Sequence, residues 1–98
     1  MNQINLSDRK AVVTGGARGI GLAIAKRLIQ SGADVSLWDI DTEAAAQAKT
    51  SLGKYGEVKI QTVDLTDEDA VAGATEATIS ELGQIDILCN NAGIAGGI

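Results

Sequence analysis

A chain of 98 residues has room for one domain and one modest core. Its 45% hydrophobic content excludes a disordered polymer. A net charge of −5 and a pI near 4.4, with eight Lys and Arg scattered from Arg9 to Lys59, argue against nucleic acid and anionic membrane surfaces as main partners.

In chain order the pattern alternates between strand and helix. Lys10–Thr14 reads as a strand, β1, and Gly19–Gln30 as a helix, α1, stopped by Ser31-Gly32. Residues 35–38 read as β2, which ends in Asp39. The run Asp41-Thr42-Glu43 supplies a cap for α2, an alanine-rich helix to about Leu52 that Gly53 ends. Residues 58–63 read as β3. Thr66 is expected to cap α3, whose first turn carries Asp67, Glu68 and Asp69 and which runs to about Leu82 before Gly83. Residues 85–89 read as β4.

Such alternation implies an α/β fold, a parallel sheet with helices on both faces. Right-handed crossovers set the strand order as 3-2-1-4, a doubly wound sheet of Rossmann type. No linker, repeat or low-complexity segment divides residues 1–98. An apolar β4 would be an open edge, which natural sheets avoid. The chain is therefore expected to be the N-terminal part of something longer, truncated after β4, or to have that edge covered by another chain.

The chemistry concentrates where strands end. Thr14-Gly15-Gly16-Ala17-Arg18-Gly19-Ile20-Gly21 turns β1 tightly into α1. Gly15 suits the turn, Gly19 allows close approach of a phosphate, and Gly21 allows α1 to pack against the sheet. Backbone N–H groups at a helix N-terminus form a pyrophosphate site, and a P-loop is excluded because no Gly-Lys-Ser/Thr follows. An ordinary glycine-rich turn is the plain alternative. Asp39, 24 residues after Gly15, ends β2 beside that turn. A carboxylate there can accept both ribose hydroxyls of an adenosine and repels a 2′-phosphate. Trp38 before it is read as packing, with an indole N–H that needs a partner if buried. Asp64-Leu65 after β3 and Asn90-Asn91-Ala92-Gly93 after β4 fall at the same carboxyl edge. The first could meet an adenine and the second a ribose, although each also reads as turn chemistry.

Together these four motifs, in this order and spacing across the whole chain, resemble the N-terminal part of a short-chain dehydrogenase/reductase. The resemblance is to members like 3-oxoacyl-carrier-protein reductases and sugar or polyol dehydrogenases. It implies that Gly15, Arg18, Gly19 and Ile20 line a pyrophosphate and that Asp39 takes the adenosine ribose. Asp64 and Leu65 would then flank adenine, Asn91 would lie by the nicotinamide-side ribose, and Asn90 would brace β4. In some members a basic residue at the position of Arg18 accompanies NADP. Asp39 opposes a 2′-phosphate directly, and no Arg or Lys occurs in Ile40-Asp41-Thr42, so NAD is expected rather than NADP.

The resemblance further implies a parent enzyme that moves hydride between NAD(H) and a carbonyl or secondary alcohol. Its acid would be a Tyr with a Lys four residues later on one helix, helped by a Ser and an Asn further along. Tyr55-Gly56-Glu57-Val58-Lys59 has that spacing, and Thr42 lies 13 residues upstream. It falls between α2 and β3, however, where strand geometry separates Tyr55 from Lys59 by about 13 Å. No catalytic residue and no metal site is therefore assigned. The alternatives are a non-catalytic nucleotide-binding module and an inactive fragment. The family resemblance implies a homo-oligomer, dimer or tetramer, for the full-length protein. One cysteine, Cys89, and no leader pattern after Met1-Asn2-Gln3 point to a cytoplasmic setting.

Overall fold

The computed structural model describes residues 5–91. Four parallel strands form one sheet in the order β3-β2-β1-β4, as the alternation of elements requires. β1 is Lys10–Thr14, β2 Asp34–Asp39, β3 Val58–Thr62 and β4 Ile87–Asn90; α1 is Gly19–Gln30, α2 Thr42–Leu52 and α3 Glu68–Leu82. The register aligns Thr14 with Trp38 on one side and with Asn90 on the other. The ends of three strands thus meet at one height.

Strand alternation sorts side chains onto two faces. Ala11, Val13, Val35 and Leu37 point to the face covered by α1 and α2, where they pack with Ala25, Ile29, Ala45, Ala48 and Leu52. Val12 and Trp38 point to the opposite face, under α3, where they meet Val63 and Ala74. Leu37 is fully buried, a burial that contributes about 1.5–3 kcal/mol. The buried Trp38 Nε1 donates to Thr78 Oγ1 at 3.1 Å, which satisfies the indole and ties β2 to α3.

Several boundaries differ from the sequence reading; β3 ends at Thr62 rather than 63 and β4 at Asn90 rather than 89, and three starts shift for identifiable reasons. β2 begins one residue early, at Asp34, because Lys10 pairs with it at the start of the β1–β2 ladder. α3 is capped by Asp67, not Thr66: the Asp67 carboxylate accepts from the N–H groups of Asp69 and Ala70. Thr66 instead turns back, its N–H and hydroxyl both donating to Asp64 Oδ1 at 2.9 and 2.6 Å. β4 starts at Ile87 rather than 85, since Ile85 packs under α3 and the strand register with β1 begins where Ile87 aligns with Ala11. Among the described residues, no helix is long and apolar enough to cross a membrane.

Candidate functional site

The turn after β1 is held from both sides. The Gly15 N–H donates to the Trp38 carbonyl at 2.7 Å. The Thr14 hydroxyl donates to Asn90 Oδ1 at 3.0 Å and accepts the Asn91 N–H at 2.9 Å, and Asn91 Nδ2 reaches the Gly15 carbonyl at 3.4 Å. β2 and β4 thereby fix the loop that leads into α1. Gly15 turns with φ of 63°. A Cβ on Gly21 would lie 2.1 Å from the Gly15 carbonyl oxygen, so that position admits no side chain. The close packing made possible by Gly21 is against this turn.

The start of α1 is electrostatically bare. Its N-cap residue, Arg18, makes no side-chain cap and no acid stands in the first turn. α2 and α3 instead are capped by Asp41 and Asp67 and carry acids in their first turns. The first N–H groups of α1 lack helical acceptors, and the helix dipole adds to their positive potential. A Cβ on Gly19 would meet nothing within 4 Å, so a ligand can approach the backbone there.

Beside this helix end stands Asp39. Its Oδ2 accepts the Ala17 N–H at 3.2 Å and its Oδ1 accepts the Asp41 N–H at 3.0 Å. Each carboxylate oxygen has two lone pairs, so both can accept once more. Asp41 caps α2 through the Ala44 N–H at 3.0 Å and pairs with Arg18 at 2.7 Å. The Ala44 N–H first, and then Arg18, holds the Asp41 carboxyl below its ordinary range. Hydrogen bonds from Thr66 do the same for Asp64.

The turn, the start of α1 and Asp39 open onto one cleft of about 370 Å³ at the carboxyl edge of the sheet. Gly15, Arg18, Gly19 and Ile20 line it from the turn and α1; Asp39, Leu65 and Asn91 line it from the ends of the other strands. Asp64, the eighth residue singled out in the sequence, does not; its Oδ1 is engaged by Thr66. Trp38, Ile40 and Val63 complete the wall. Ile40 was missed in the sequence, where the signal was a large apolar residue directly after a strand-ending Asp; it is 65% exposed. Ala92 and Gly93 lie outside the described residues. Tyr55 and Lys59 do not meet: Lys59 pairs with Glu57 at 2.6 Å, whereas the Tyr55 ring lies under Lys26 and Lys54. Lys26 lowers the Tyr55 phenol pKa, chiefly through a hydrogen bond.

Residues 9–97 match the family profile of short chain dehydrogenases. The chain belongs to that family. It is 42% identical over 94 residues to the 3-oxoacyl-[acyl-carrier-protein] reductase of Chlamydia pneumoniae, covering 93% of this chain and 37% of the relative. An NAD+-bound xylitol dehydrogenase superposes with a TM-score of 0.86 at 35% identity, over 89% of this chain and 34% of that one. A Pseudomonas aeruginosa RhlG/NADP active-site complex does so with 0.85 at 39%, over 91% and 36%. This short chain dehydrogenase sequence spans about a third of the length of the curated relatives it matches. Solved members thus hold either nicotinamide dinucleotide.

Proposed function

We propose that this chain forms the adenosine and pyrophosphate side of an NAD(H) site, in a protein that interconverts a secondary alcohol and a carbonyl compound. The observation that carries the reading is the Asp39 carboxylate, set by two backbone N–H groups at the mouth of the cleft and next to the uncapped α1 terminus. The residues fit the group: an open backbone at Gly19, a positive helix end for pyrophosphate and a wall of Ile40, Val63 and Leu65 for a flat base. In this reading Asp39 accepts the adenosine ribose hydroxyls and opposes a 2′-phosphate. Gly15, Gly19 and Ile20 hold the pyrophosphate, with Arg18 at the rim. Leu65 stacks on adenine, and Asp64 has Oδ2 left for its amino group. Asn91, anchored on Gly15, faces the nicotinamide-side ribose.

When bound, the nicotinamide accepts or supplies the hydride. This chain's residues bind and orient it. Tyr55 and Lys59 are assigned no catalytic part, because each is committed to other partners. A cytoplasmic setting and a homo-oligomeric parent protein belong to the same reading; the first is supported by the lone Cys89, the second by the family.

Calorimetry of the full chain with NADH, NADPH and ADP-ribose tests it. NADH and ADP-ribose should bind, and Asp39→Ala should weaken NADH about tenfold or more, as expected for lost hydrogen bonds to a charged acceptor. NADPH should be weakened less. An unchanged NADH-to-NADPH ratio would remove the role given to Asp39.

A further inference from the structure

Arg18 is the one cationic side chain that lines the cleft among the described residues. It adjoins Ala17, whose N–H is held by Asp39, so its backbone sits beside the point where a 2′-phosphate would have to lie. Arginine is well suited to that task, because its planar fork binds phosphate through two N–H groups at once. Here the guanidinium is already engaged. One terminal nitrogen donates to Asp41 Oδ2 at 2.7 Å, while Asp41 Oδ1 is engaged by the Ala44 N–H. The cap fixes the carboxylate on α2, and the carboxylate fixes the arginine.

Building on the NAD(H) reading above, we propose that Asp41 is a specificity-determining residue that keeps Arg18 away from a 2′-phosphate. Two carboxylates then act in different ways. Asp39 repels the phosphate where it would sit, and Asp41 withholds the cation that would compensate it. Selectivity between two cofactors is a difference of affinities, so a device that acts only against the phosphorylated one raises it without strengthening NADH binding. The Arg18 side chain is 68% exposed. Exposed ion pairs are weak, so a several-fold effect is expected rather than an absolute one.

Asp41→Asn removes the charge and keeps a side-chain oxygen for the α2 cap; Asp41→Ser does the same with a hydroxyl. Calorimetry of the full chain with NADH and NADPH should show either variant shifted about three- to tenfold toward NADPH relative to NADH. The shift should vanish when Arg18→Met is added to Asp41→Asn. A ratio that does not move in either single variant overturns the proposal. So does a shift that survives loss of Arg18, since that would reflect charge removal alone. Failure of the unaltered chain to bind either dinucleotide removes both this proposal and the cofactor reading, whereas NADH binding with an unmoved ratio removes only this one.

Discussion

Asp39, Asp41, Asp64 and Asp86 show how one residue type takes different work from its surroundings. Asp39 bridges two backbone N–H groups at the cleft, Asp41 caps a helix and holds an arginine, Asp64 closes a turn, and Asp86 accepts the Lys10 N–H at 2.8 Å. Hydrogen bonds to the ionised form hold Asp41, Asp64 and Asp86 below the ordinary carboxylate range, and Lys59 does the same for Glu57. The unfolded chain therefore binds protons at a higher pH than the folded one. These groups contribute their stability in full above the unfolded carboxylate values and lose it as pH falls through the lowered folded values. With no histidine in the chain, no side chain ordinarily titrates between about pH 5 and 8. Thermal melting followed by circular dichroism should be flat across that window and fall below about pH 4. A step in the melting temperature near pH 6–7 would contradict this account.

At the scale of elements, the three helices differ in how they begin, and the difference separates structure from site. α2 and α3 carry aspartate caps that serve folding. α1 has none, and in the function proposed above its N-terminus is the pyrophosphate side of the site. The cap of α3 makes a sharp test. Asp67→Ala should cost about 1 kcal/mol in urea unfolding, and Thr66→Ala should cost clearly less, because the Thr66 hydroxyl serves the exposed Asp64 turn. Equal losses would return the cap to Thr66. The misreading has a physical source. Thr66 and Asp67 are both good caps by residue type. The choice was made by Asp64, whose Oδ1 draws in the Thr66 N–H and hydroxyl and moves the helix start one residue on.

In the molecule as a whole, β1 sits between β2 and β4, with α1 and α2 on one face and α3 on the other. The cleft opens at the carboxyl ends of these strands, where the connections diverge. Among the described residues β4 pairs with β1 alone, and Leu88 on it is 63% exposed. An apolar open edge is a template for pairing with another strand. Sedimentation velocity over a dilution series should show concentration-dependent association that Leu88→Lys reduces, since a charge at an edge discourages pairing. Association unchanged by the substitution would place the contact elsewhere.

Strand and helix order, the parallel sheet and the glycine turn were legible in the residues, because hydrophobic period and glycine position are local signals. Of the eight residues singled out in the sequence, seven line one cleft. The sequence could not show which partner each carboxylate would choose. Nothing local to Arg18 indicates that it pairs with Asp41, 23 residues away, or that Asp39 would hold the Ala17 N–H. Nor did it place Ile40 in the wall or the Trp38 indole on Thr78, 40 residues along the chain. Those choices depend on which strand ends and helix starts the sheet brings together. Long-range packing settled them, and no property of a residue's immediate neighbours contains that information.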